Sequence, residues 1–339
     1  MKITVDELQE KLSDISVSDE EIAQYLTGGT DAAAPLGPRL RPDPNRVQID
    51  TDMDHMRVEA AFASSALSRI DRWRRQRRFN SMLANAGNNP PPIIYAEGDS
   101  WFQFPFLLRD LVNQLSSTHL VWCTSEPGDT LQNMVHDKPE YLRTLNELLV
   151  TRGLPVRYFL FSGAGNDVVG QDDSGIAALS RIVRPFDPDK PPQWHVETPA
   201  LEDVLGRIRR AYIKVLEDID REFPATAYPD LRIVIHGYDY SPTRSVGGAD
   251  RNRPFWARDW TGEPLHNKGF PDNAQASRVV RALIDRLNET TATICSAFGP
   301  RAIHADLRGS VPQGDWADEL HPTSDGFKKA AAKLRALLA

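Results

Sequence analysis

Cysteine is nearly absent: Cys123 and Cys295 are the only two in 339 residues. Neither has the spacing of a metal or redox motif, so buried thiols are expected, with a single disulfide as the alternative. No apolar run is long enough to span a bilayer. The first 27 residues are acidic and amphipathic, without the basic start and apolar stretch of a secretory signal. A cytoplasmic location is therefore the default expectation. An excess of positive charge is also missing. Lys and Arg number 40 against 47 Asp and Glu, a formal net charge of −7, which argues against a nucleic-acid binder. There is no internal repeat at solenoid periods. No Gly-x-Ser-x-Gly elbow occurs, which argues against an α/β-hydrolase fold.

What is present suffices for a globular core, since 40% of the residues are hydrophobic. Residues 1–50 read as an N-terminal helical segment and linker. Val5, Leu8, Leu12 and Ile15 recur at helical spacing, Ser18-Asp19-Glu20-Glu21 is a helix start, and 28–50 is rich in Gly, Pro and Ala. This piece is too small for a core of its own and should dock on the main body or on a protein partner. Residues 51–92 read as a basic helix, over 53–84, and a proline-rich linker. Its run Arg69-Ile70-Asp71-Arg72-Trp73-Arg74-Arg75-Gln76-Arg77-Arg78 could grip phosphates, but a solvated helix face is the simpler expectation.

From residue 93 to 339, strands and helices alternate. Strands are predicted at 93–96, 119–123, 156–161, 231–236 and 301–305. Helices are predicted at 104–116, 130–149, 200–222, 273–296 and 324–338. Such alternation gives an α/β fold: a flavodoxin-like three-layer α/β/α sandwich on a mainly parallel five-stranded sheet, with an N-terminal helical extension. Two insertions, 170–199 and 238–272, interrupt it. The second carries Tyr238, Tyr240, Phe255, Trp256, Trp260 and Phe270, and reads equally well as a substrate wall or as a loop packed on the sheet.

The first predicted strand runs Ile93-Ile94-Tyr95-Ala96 and stops on Glu97-Gly98-Asp99-Ser100-Trp101-Phe102. Ser100 thus lies just past a strand's carboxyl end, where open α/β sheets bind ligands. Three further stretches fall on the same edge: Ser125-Glu126-Pro127-Gly128-Asp129-Thr130, Ser162-Gly163-Ala164-Gly165-Asn166-Asp167, and Asp318-Glu319-Leu320-His321-Pro322. Together they hold the parts of an acyl-transfer site. A serine hydroxyl needs an adjacent base, and His321 can be that base. Asp318, three residues earlier, can orient the imidazole. The N–H groups of Ser100 and Gly128 and the side-chain amide of Asn166 are candidate oxyanion donors. Hydrolysis of this kind needs neutral His321, so the rate should fall at acid pH. Trp101, His236, Tyr238, Trp256 and Trp260 are candidate substrate-binding residues. Asp99, Asp167 and His304 read as structural.

In order, Gly98-Asp99-Ser100, Gly128, Gly165-Asn166-Asp167 and Asp318-Glu319-Leu320-His321 resemble the four blocks of the SGNH, or GDSL-type, hydrolase family. The resemblance covers roughly residues 93–339. It implies Ser100 as nucleophile, Gly128 and Asn166 in the oxyanion hole, and His321 with Asp318 as base and orienter. It also implies a flavodoxin-like sandwich, no cofactor and no metal, and hydrolysis of carboxylic esters, thioesters or acetylated sugars. Trp101 stands where the family usually has leucine, and the asparagine often found before the glycine block is missing. Alternatives are an acyltransferase using the same acyl-enzyme, a non-catalytic scaffold, or a metal-dependent phosphoesterase. The last would need several converging His and carboxylate ligands, and its Asp-x-His block is absent.

Overall fold

A computed structural model of the chain describes residues 2–28, 40–54, 56, 58, 66–87, 90–171, 175–254, 256–257 and 259–338. Five strands form the central sheet: β1 (Ile93–Glu97), β2 (Leu120–Cys123), β3 (Val156–Phe161), β4 (Arg232–His236) and β5 (Ala302–Ala305). Their order is β2-β1-β3-β4-β5 and every pairing is parallel. β1 is buried along its whole length, as a strand covered on both faces must be. Helices flank the sheet in a three-layer α/β/α sandwich. The long ones are α2 (Ala66–Asn85), α3 (Pro199–Glu222), α4 (Asn273–Ala297) and α5 (Ser324–Arg335), while α1 (Val5–Ser13) belongs to the N-terminal piece. After β2 the chain returns past β1 to β3, so the strand order reverses around β1. The crevice for a ligand therefore opens at the carboxyl ends of β1 and β3.

The predicted helix over 104–116 shrinks to Leu111–Leu115. Pro105 and Phe106, the latter at φ 61°, cannot continue a helix, and the helix starts only where the Asp110 carboxylate caps Asn113 N–H. The stretch 101–110 is instead a loop. The helix predicted over 130–149 is broken into short pieces on either side of Pro139. Cys123 and Cys295 are both free and buried, so the disulfide alternative fails. Among the described residues no helix is long and apolar enough to cross a membrane.

The front of the chain docks on the main body. Val5, Leu8, Leu12, Ile22, Leu26, Leu40 and Val47 form a small second core with Leu67 of α2 and with Phe106. The linker portion 29–39 and much of the first half of the helix expected over 53–84 lie outside the described residues. The described helix α2 meets the solvated-face expectation at Arg69, Trp73 and Arg77, which are exposed, but not at Arg74 and Arg75. Arg74 has no exposed surface. Its guanidinium donates to the carbonyls of Lys11 (3.1 Å), Leu12 (3.0 Å), Asp14 (2.7 Å) and Val17 (2.6 Å). Lys11 and Leu12 lie in the last turn of α1, whose buried carbonyls must find donors, and Asp14 and Val17 lie in the turn that follows it. Arg75, also buried, bonds Asp71 at 2.8 Å, Asp110 at 2.5 Å and the Phe102 carbonyl at 3.0 Å. Asp110 in turn accepts Phe104 N–H at 2.9 Å. The basic run thus braces the 101–110 loop just beyond Ser100.

Candidate active site

The serine turn is built by close approach of β1 and β3. A Cβ on Gly98 would lie 2.7 Å from the Ser162 carbonyl oxygen, so only glycine fits. The buried Asp99 carboxylate holds the turn in place. It accepts Trp101 N–H (3.0 Å), Ser162 Oγ–H (3.2 Å) and the Tyr238 hydroxyl. Burial, the main cause, pushes this carboxyl above its usual range.

Ser100 Oγ lies 2.9 Å from His321 Nε2. His321 Nδ1 is 3.0 Å from both Asp318 carboxylate oxygens. All three side chains are buried. The Asp318-to-His321 turn is closed by Asp318 Oδ1, which accepts the N–H of Leu320 (2.8 Å) and of His321 (2.7 Å). Burial works to raise Asp318, but the His321 charge and these hydrogen bonds outweigh it and hold the carboxyl below its usual range. An ionised Asp318 places the imidazole hydrogen on Nδ1 and leaves Nε2 free to accept from Ser100.

Gly128 has φ +82°, a conformation natural only to glycine, in the loop after β2. That loop is tied to the serine turn by Glu126 N–H on the Gly98 carbonyl at 3.0 Å. Asn166 sits in the first turn after β3, and its side-chain amide donates to the Asp129 carbonyl at 2.7 Å. One of its two amide hydrogens is thereby committed, and the other has no protein acceptor among the described residues. Ser100 and Asn166 face a cleft of ≈ 40 Å³, walled by Trp101, Val169, Leu283 and Leu320.

The aromatic candidates divide. Trp101 is buried, lines the cleft, and donates its indole N–H to the Leu320 carbonyl at 3.1 Å. Tyr238 also lines the cleft, but its hydroxyl is held by Asp99 and by Gly165 N–H at 3.1 Å. His236 does not reach the cleft: it is buried behind Trp101, ring centroids 5.6 Å apart, because β4 ends beneath that ring. Burial pushes its imidazole down to about 4. Trp256 and Trp260 lie on the opposite, His321 side. Trp260 is 6.3 Å from the His321 ring, with its indole N–H 3.4 Å from Asp318 Oδ2. Trp256 packs on Phe104 at 4.9 Å, and Phe104 packs on His321 at 4.8 Å. Phe255 lies outside the described residues. Among the described residues no three His, Cys, Asp or Glu side chains are grouped to hold a metal.

Solved structures similar to this chain include hydrolases of the SGNH type, lipases and acetylxylan esterases. One, from Slackia heliotrinireducens, is provisionally described as an SGNH hydrolase. It is 14% identical, covers 74% of this chain and 100% of its own, and has a TM-score of 0.43. An extracellular lipase from Streptomyces rimosus is 14% identical, with 72% and 99% coverage and a TM-score of 0.40. An acetylxylan esterase from Geobacillus stearothermophilus, solved as a catalytic mutant, is 11% identical, with 73% and 94% coverage and a TM-score of 0.39. No protein-family model and no curated protein matches the chain. At these identities and TM-scores the likeness carries no chemistry to this chain, whose own side chains must supply it.

Phe104 and Glu319 were not legible as parts of this site. Phe104 fell in a predicted helix, and Glu319 was given no role within the Asp318–His321 stretch. A third acid bears on pH. Glu97 ends β1 with its carboxyl buried against the Tyr95 hydroxyl. Burial, reinforced by the charges of Glu140 and Asp129, pushes it up to about 8. A raised acid stabilises the fold when protonated, and that contribution is lost as pH rises through the folded value. His236 has the opposite sign, but its contribution is complete above its ordinary 6.5. The expected outcome is a melting temperature that declines from pH 6.5 to about 8, and a Glu97→Gln variant that flattens the decline. Identical slopes in both proteins would refute the assignment.

Proposed function

We propose that the chain is a serine hydrolase of SGNH type that cleaves carboxylic esters through an acyl-enzyme on Ser100. The observation that carries this is the buried row Ser100 Oγ, His321 and Asp318, with contacts of 2.9 and 3.0 Å. In the reaction, His321 Nε2 takes the hydroxyl proton as Ser100 Oγ attacks the ester carbon. Asp318 holds the imidazolium that forms. The N–H groups of Ser100 and Gly128 and the free amide hydrogen of Asn166 donate to the developing oxyanion. His321 then protonates the departing alcohol, and water reverses the steps to release the acid.

The two sides of the serine suit different parts of the ester. The ≈ 40 Å³ cleft beside Ser100 and Asn166 suits a short acyl group. The alcohol leaves beside His321, against Phe104, Trp256 and Trp260. The test is a p-nitrophenyl ester series from acetate to octanoate. We expect kcat/KM to fall by at least about 10-fold across it, since overfilling a packed pocket costs roughly 1–3 kcal/mol. A preference for octanoate would refute the acyl assignment. No turnover of any ester would overturn the hydrolase reading.

A further inference from the structure

Glu319 lies between the proposed orienter and the proposed base, has 1% of its surface exposed, and meets no cation among the described residues. Its Oε1 accepts the N–H of Arg244 (2.6 Å), the N–H of Ser245 (2.9 Å) and the Ser245 hydroxyl (2.9 Å). Its Oε2 accepts the N–H of Trp260 (2.6 Å), Thr261 (2.6 Å) and Gly262 (3.2 Å). Five main-chain donors thus surround one carboxylate, a cage that complements negative charge without a counter-ion. The two groups of donors come from the two arms of the 238–272 insertion. One side chain therefore draws the arms together, and the Thr243 and Thr261 hydroxyls meet beside it at 3.0 Å.

The same tryptophan is held twice. Trp260 gives its main-chain N–H to Glu319 and its indole N–H to Asp318. We propose that Glu319 is a positioning residue that hangs the aromatic insertion on the Asp318–His321 turn and sets Trp260 at the departing alcohol. This rests on the reading of Ser100, His321 and Asp318 as the reacting triad. The insertion is then a fixed wall registered to the base, and it selects for the alcohol half of the ester.

Glu319→Gln is the informative variant. Every partner of both oxygens is a donor, so an amide NH₂ must face N–H groups on one arm. The full chain is tested with 2-naphthyl acetate and ethyl acetate, which share an acyl group and differ in the alcohol. We expect KM for the naphthyl ester to rise at least about 10-fold while kcat for both esters changes by less than about 3-fold, the pattern of lost ground-state binding. Limited proteolysis read by mass spectrometry should show faster cleavage within 246–259. Equal losses on the two esters, or no change on either, would overturn the positioning role. Unchanged proteolysis would overturn the cage as the insertion's anchor. Should Glu319→Gln not fold, Trp260→Ala must give the same split between esters, and its absence would overturn the proposal. The proteolysis does not depend on catalysis. An inactive wild type would thus sink the triad reading alone and still decide the cage.

Discussion

Ser100→Ala is expected to abolish covalent labelling by a fluorophosphonate probe and to lower kcat by ~10⁴–10⁶-fold. The size comes from the row of contacts. On the proposed mechanism the hydroxyl has one base, His321 Nε2 at 2.9 Å, and that base has one orienter, Asp318 at 3.0 Å. Groups that act as a unit fail as a unit. His321→Ala should therefore cost about as much as Ser100→Ala, and the double variant little more than either. Asp318→Asn should cost on the order of 10⁴-fold, because an amide at that position stabilises the wrong imidazole tautomer. The residual rate in each variant measures the oxyanion donors and binding. A loss below about 10-fold in Ser100→Ala, with labelling retained, would mean that another nucleophile does the chemistry.

Arg75→Met is expected to cost ~3–5 kcal/mol of folding stability, the usual consequence of removing one partner from a buried charge network. Arg75 stands between two fully buried carboxylates, Asp71 and Asp110. Burial already pushes Asp71 up to about 6. Without the guanidinium both acids face an apolar interior unpaired. Urea unfolding read by circular dichroism measures the loss as a lower midpoint at unchanged slope. Adding Asp71→Asn to Arg75→Met should recover part of it, because one of the orphaned charges is then gone. A cost below about 1 kcal/mol would place the pair among weak surface ion pairs and refute the bracing role.

The sequence reports contacts between neighbours far better than contacts between distant residues. The five strands were legible because β-branched and aromatic runs between turn residues declare themselves locally. Ser100 and Asn166 were legible because each follows a strand end, and the Asp318/His321 pair because its spacing marks a short turn before the last helix. Arg74 and Arg75 were misread for the complementary reason. A run of arginines shows charge but not the helix carbonyls some 60 residues away that absorb it. The stretch 104–110 reads as a helix because its apolar residues face different surroundings that the sequence does not separate. Phe104 packs on His321 while Phe106 enters the small N-terminal core. Periodicity cannot separate one apolar face from two divergent ones. Glu319 stayed hidden because its partners are main-chain N–H groups, which leave no mark in side-chain pattern.

The proposed nucleophile and its proposed base are 221 residues apart in the chain, Ser100 after β1 and His321 beyond the edge strand β5. At ~5–20 residues per second, a ribosome needs roughly 10–45 s to travel from one to the other. Through that interval the nascent chain carries a serine with no base beside it. On the proposed mechanism, acylation becomes possible only once β5 has joined β4 and the Asp318–His321 turn has formed. On that mechanism the order of the strands keeps the growing chain chemically silent until its last strand and the turn after it are in place.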